Sequence, residues 1–231
     1  MIVLKKLKHI LFFTYLGICR IYRKILNKPT IYVFGDSHTI NLQHELFRTT
    51  HVGPATAYNL ISNSSITQAK KKIQSVLETL PCNQRHNLLF IFGEIDCRIH
   101  INKISRTKHK SLEWVVNSTV NRYIDFLRSI KKQFPKSIIL VLNVLPAGEE
   151  KNIYNTKFYP SRDLHQKIVN LFNKKLNLEC EKNSLIFISV FNELIDKEGK
   201  RIRKYVFDDI HFNKQIISFI IDKIFEKGGI L

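Results

Sequence analysis

The chain has 231 residues, 44% of them hydrophobic, and a formal charge of +18 from 37 Lys and Arg against 19 Asp and Glu. That length suits one domain with an appendage at most, and that apolar share argues against disorder. The charge calls for an anionic partner or location: nucleic acid, an acidic membrane surface or an acidic substrate.

The first 28 residues stand apart. They carry seven Lys and Arg and no acid. Leu4, Leu7, Leu11, Tyr15, Ile18, Tyr22 and Ile25 recur at steps of three and four, which makes one apolar stripe on a helix. The uninterrupted run Ile10–Cys19 is about half the ~20 residues a spanning helix needs. Arg20, Tyr22, Arg23 and Lys24 follow it, where a signal peptide would place small residues. Two readings fit: a basic amphipathic helix lying on an anionic membrane surface, or a helix packed on the domain with solvated charges. An uncleaved signal anchor is a third, because Phe12, Phe13 and Leu16 widen the apolar face.

Pro29 ends this unit, and residues 29–231 form the second. Short apolar runs at Thr30–Phe34, Leu88–Phe92, Ile138–Leu145 and Leu185–Val190 predict strands covered on both faces. Helical periodicity fills the gaps at Ile66–Leu80, Leu112–Phe134, Asp163–Cys180 and Lys214–Phe225. Strands alternating with helices predict an open, parallel α/β sheet. The segment Arg98–Lys110 reads as a strongly basic loop with a solvated face. Cys19, Cys82, Cys97 and Cys180 lie far apart with no CxxC pair, so neither a disulfide framework nor a zinc site is expected.

Ligands of such sheets gather at the carboxyl ends of the strands. Three polar clusters fall there: Gly35-Asp36-Ser37-His38, Gly93-Glu94-Ile95-Asp96-Cys97-Arg98, and Asp208-Asp209-Ile210-His211 before the last helix. Ser37 is either a nucleophile or a helix cap. A nucleophilic serine needs a base, and the base an orienting partner. Asp208 lies three residues before His211, so one turn can join carboxylate to imidazole, with Nε2 left to face Ser37. The N–H groups of Ser37 and of Gly53, in HVGPATAYNL, are candidate oxyanion donors. Glu94 and Asp96, two apart on an extended segment, can be read as a metal or acid/base pair. The preferred reading makes Asp96 a structural acceptor for backbone N–H groups of its own loop, Glu94 a substrate-side residue paired with Arg98, and Cys97 a small buried hydrophobe.

This ordered set resembles the SGNH, or GDSL-type, hydrolase superfamily, over residues from Ile31 to about Phe225. The resemblance implies a three-layer α/β/α sandwich around a parallel sheet, a triad of Ser37, His211 and Asp208, and Gly53 as oxyanion donor. Asp36 falls in the first family block, beside the substrate. In the third block the family has G-x-N-D, with the asparagine as a further donor, and here Ile95 stands in its place. Removing one donor lowers turnover about 10²–10³-fold, so a substitute is expected: Arg98 first, His100 second. Gly93 and Asp96 keep the structural part of that block. GEIDCR is similar to a variant in SGNH-like proteins linked to bacterial surface polysaccharides.

The resemblance implies acyl-ester chemistry: an O-acetyl or other acyl esterase, or an O-acyltransferase, on a carbohydrate such as a surface polysaccharide or its lipid-linked precursor. A hydrolase needs no cofactor, whereas a transferase needs an acyl donor such as acetyl-CoA. No metal is expected. With Ile95 in the third block, a catalytically silent glycan-binding or scaffolding protein is the alternative. Nucleic acid is set aside, since recognition-module signatures are missing. These readings place the chain in the bacterial cytoplasm, peripheral to the inner membrane, with no pattern that assigns an oligomeric state.

Overall fold

Near-continuous apolar runs have two faces to cover, and the chain covers both. A computed structural model describes residues 2–26, 29–148 and 157–228. Five parallel strands, β1 (Ile31–Gly35), β2 (Phe47–His51), β3 (Asn87–Ile91), β4 (Ile138–Leu142) and β5 (Ile186–Ile188), form one sheet in the order β2-β1-β3-β4-β5. Alternate residues feed two cores. Phe34, Leu88, Phe90, Ile139 and Val141 point to one face, under α2 (Ala69–Leu77), α4 (Leu112–Gln133) and α5 (Arg162–Lys182). Ile31, Val33, Leu89, Leu140 and Leu142 point to the other, under a final helix, Ile216–Glu226. The three-layer α/β/α arrangement implied by the resemblance is therefore present.

Two predictions on the domain need correction. The strand β2 was not foreseen. Its sequence FRTTH has no apolar run, because as an edge strand it buries Phe47 and leaves Arg48 and His51 exposed. The segment Arg98–Lys110 is helical, not a loop. A π-helical turn at Asp96–His100 runs into α3 (Ile101–Lys108). Cys97 and Ile101 are buried one turn apart, with Ile104 packed behind them, so an apolar stripe underlies the basic residues.

The N-terminal helix, α1 (Ile2–Ile25), touches the domain near the amino ends of β1 and β2. Leu16 is buried, and Arg23 donates to the Pro29 carbonyl at 2.8 Å and pairs with Glu45 at 3.5 Å. Among the described residues no helix is long and apolar enough to cross a membrane.

Because β1 connects to β2 on one side and lies against β3 on the other, the crevice at a change of strand order opens between β1 and β3. The loops bearing Ser37 and Glu94 leave the sheet there.

Candidate active site

Asp36, not Ser37, caps the turn after β1. Its Oδ1 accepts from the His38 N–H at 3.0 Å, opening a 3₁₀ turn at Ser37–Asn41. The Ser37 hydroxyl is left for another partner, and its Oγ lies 2.8 Å from Nε2 of His211. Gly35 permits the close approach of this corner, since a Cβ there would sit 2.7 Å from the Ile91 carbonyl oxygen.

His211 is held by a turn rather than by a helix or strand. Val206 and Phe212 form an antiparallel bridge, and the Phe207 N–H donates to the His211 carbonyl at 2.8 Å. Asp208 Oδ1 accepts from the N–H groups of Ile210 and His211, at 2.8 and 2.6 Å. Its Oδ2 lies 2.8 Å from His211 Nδ1. Burial pushes the Asp208 pKa up, but the His211 N–H and imidazole and the Ile210 N–H outweigh it, so the value falls below the ordinary one. An ionised Asp208 holds the proton of His211 on Nδ1 and turns the Nε2 lone pair toward Ser37.

Two further contacts brace this turn, and neither was foreseen from the sequence. Asn41 Nδ2 donates to the Phe212 carbonyl at 3.0 Å, joining the serine turn to the histidine turn. Arg201 donates to the carbonyls of Pro146 and Asp209, and its guanidinium stacks 4.8 Å from the Phe212 ring centroid. Burial draws the Arg201 pKa down to about 10, so it stays charged at neutral pH. Arg201 lies only seven residues before Asp208, but a role played through backbone carbonyls leaves no pattern of residue types.

Gly53 occupies φ +92°, a region that favours glycine. The β1–β2 register pairs Gly35 with His51, and the Val52 N–H donates to the Gly35 carbonyl at 3.0 Å, so the segments bearing Ser37 and Gly53 leave adjacent strand ends. Among the described residues neither the Ser37 nor the Gly53 N–H has a hydrogen-bond acceptor.

The third block is built differently from expectation. Gly93, at φ +113°, packs where a Cβ would meet the Phe172 ring at 2.8 Å. Asp96 is fully buried, and its Oδ2 and Oδ1 accept from the N–H groups of Ala57 and Tyr58, at 2.6 and 3.3 Å. It thus serves the loop after β2, which carries Gly53, rather than its own loop. Ile95 is half-buried, and its apolar side chain offers no donor. Arg98 is buried and binds both carboxylate oxygens of Glu94, through Nε and Nη2. His100 lies with its ring centroid 5.1 Å from that of Tyr58 and its Nδ1 3.5 Å from Asp96. Cys97 is fully buried, and burial, with Asp96 and Glu94 adding to it, pushes its thiol well above the ordinary range. It is no thiolate nucleophile.

Beneath the Ser37–His211 contact lies an inner polar group. His38 Nδ1 lies 3.0 Å from Asp36 Oδ1, and the His38 ring centroid is 5.1 Å from that of His211. Asp36, His38 and Glu94 place ligand-type atoms within 4.8 Å of one another. Arg98 already holds both Glu94 oxygens, however, so a cation would meet one carboxylate and one imidazole with a guanidinium alongside. That is a poor cage for a divalent ion.

No family model matches the sequence, and no curated protein matches it. Solved structures do. A chain from Streptococcus pneumonia described as a platelet activating factor is 16% identical, with 98% of this chain and 99% of that one covered and a TM-score of 0.59. A GDSL-like lipase from Bacteroides thetaiotaomicron VPI-5482 is 15% identical, with 86% and 88% covered and a TM-score of 0.55. The acetyl xylan esterase AlAXEase is 13% identical, with 86% and 98% covered and a TM-score of 0.54. At such identities the likeness is one of fold.

Proposed function

We propose that this chain carries out acyl-ester chemistry through Ser37, removing or transferring an acyl group, acetyl above all, on a carbohydrate. One observation carries the reading. Ser37 Oγ, His211 Nε2, His211 Nδ1 and Asp208 Oδ2 form a continuous chain with both links at 2.8 Å, at the sheet edge where α/β ligands bind. The likeness in fold to a GDSL-like lipase and an acetyl xylan esterase supports it.

The Ser37 oxygen attacks the ester carbonyl carbon while His211 Nε2 takes the hydroxyl proton. The N–H groups of Ser37 and Gly53 receive the oxyanion. Collapse breaks the bond to the sugar oxygen, which leaves with the proton from His211, and the acyl group stays on Ser37. Water, or the hydroxyl of an acceptor sugar, then attacks the acyl-enzyme as His211 takes its proton. That proton passes back to the Ser37 oxygen as the enzyme is released. Water makes the chain an esterase. For an acyltransferase the carbonyl first attacked is that of a donor such as the thioester acetyl-CoA, whose C–S bond breaks and whose thiol leaves with the His211 proton, and a sugar hydroxyl is the second nucleophile. The substrate we infer is a bacterial surface polysaccharide or its lipid-linked precursor, on the strength of the GEIDCR segment and the basic charge.

Ile95 favours a second reading, a glycan-binding or scaffolding protein without turnover, since it removes the family's third oxyanion donor. A fluorophosphonate serine probe separates the two. Wild type should label, and Ser37→Ala and His211→Ala should not. Absence of Ser37-dependent labelling, with no hydrolysis of an aryl acetate, overturns the enzymatic reading.

A further inference from the structure

We infer that α1 docks the protein on an anionic bilayer surface, lying in the interface with its apolar stripe toward the lipid. The inference is independent of the chemistry at Ser37.

An amphipathic helix that belongs to a globular core turns its apolar face inward. The helix α1 does the reverse. Among the described side chains of α1, Leu16 is the buried hydrophobe, and Arg23, only 14% exposed, sits on the same side, against Glu45 and the Pro29 carbonyl. The sequence stripe points away from the domain: Leu7, Leu11, Tyr15, Ile18, Tyr22 and Ile25 are between 53% and 73% exposed. A continuous apolar face of this kind on a folded chain marks a surface with a partner.

Charge selects the partner. The stripe is embedded in a segment with seven cations and no acid, on a chain of net charge +18. A second copy would bring the same cations to the contact. Anionic headgroups supply the opposite charge, while the boundary of the acyl chains takes the apolar stripe. No described helix is long and apolar enough to cross a bilayer, so the helix lies on it.

The attachment also fixes where the chemistry stands. Arg23 meets the domain at Glu45 and the Pro29 carbonyl, at the amino edge of β1 and β2, whereas Ser37 lies at the carboxyl edge. A strand of this length separates the two by about 16 Å. Docking therefore leaves the serine open to a water-exposed group.

The test is flotation of the full chain with vesicles of phosphatidylcholine alone or with about a third phosphatidylglycerol, at about 0.1 M and about 1 M salt. Wild type should float with the anionic vesicles at low salt, and partition should fall by at least about tenfold in Ile18→Glu/Tyr22→Glu. The milder Ile18→Ser/Tyr22→Ser should fall between them. Circular dichroism melts should coincide for all three, because both side chains are exposed. Aryl acetate turnover without vesicles reads the Ser37 chemistry alone and should not change. Equal flotation of wild type and the glutamate variant overturns the inference. So does a wild-type dimer in light scattering that the glutamate variant dissolves, with no flotation of either.

Discussion

Two Asp–His pairs meet at the carboxyl edge of the sheet, and they are built to different ends. In the outer pair Asp208 lies three residues before His211, and Nε2 reaches Ser37 Oγ. In the inner pair Asp36 lies two residues before His38, both side chains are buried, and Nε2 of His38 has no partner among the described residues. The pairing distances are nearly the same. Address and exposure set the pairs apart: one imidazole can take a proton from a nucleophile and pass it on, and the other is enclosed.

Asp208→Asn tests the outer pair most severely. The amide cannot hold the Nδ1 proton as a carboxylate does, so turnover of an aryl acetate should fall about 10³–10⁴-fold while the fold persists. A loss below tenfold would mean that His211 does not need its orienting partner, and that the outer pair is no more specialised than the inner one.

The inner region carries a second contrast. His38 and His165 are both buried, yet their pKa values move in opposite directions. Burial pushes His38 down, but the Asp36 carboxylate and its hydrogen bond more than offset that and raise it. Burial takes His165 down to about 4. Glu94 pulls the other way, and Arg201 and Arg98 reinforce the fall. His165 is therefore neutral in the folded state, and its contribution to stability is complete above about pH 6.5. That contribution drains away as pH falls from there toward about 4, by about 3 kcal/mol in all. His165→Leu should remove this part of the acid destabilisation, seen as a smaller gap between urea melts at about pH 7 and about pH 4. An unchanged gap would show that His165 titrates as it does in water.

Ile95→Asn probes the third oxyanion position. Restoring a side-chain amide there should raise turnover about tenfold or more, part of the 10²–10³ that one donor supplies. No gain would indicate that another group, His100 or Arg98, already fills the position. Arg98→Met should then tell the two apart, although Glu94 holds two of its nitrogens.

Legibility in the sequence followed how local each feature is. The β1, β3 and β4 strands are apolar on both faces, and the periodic helices bury one stripe, so single segments announced them. Ser37 and the Asp208–His211 pair were readable because each is a short run at a strand end or turn. The strand β2 was not, because an edge strand of five residues buries little beyond Phe47. The helical character of Arg98–Lys110 was masked by its basic composition. Asp96 was read as an acceptor of backbone N–H groups of its own loop, whereas its partners are the N–H groups of Ala57 and Tyr58, which only the fold brings to it. Arg201 and Asn41 work through carbonyls distant in sequence, which leave no pattern of residue types.

His38 is the smallest expected effect on rate and the cleanest test of the comparison. His38→Gln should leave turnover within about threefold, because the His38 Nδ1 faces Asp36 and its Nε2 has no hydrogen-bond partner among the described residues, so its ring is bonded to neither Ser37 nor His211. Its effect belongs to stability. Asp36 loses a buried partner, and the variant should lose about 1–3 kcal/mol in urea melts. The sign with pH is opposite to that of His165. A histidine whose folded pKa is raised stabilises below about pH 6.5 and loses that contribution as pH rises through its folded value. The gap between wild type and the variant should therefore narrow on going from about pH 6 to about pH 9. A gap that widens, or a fall in turnover approaching that of His211→Ala, would move the inner pair from the support of Ser37 into its chemistry.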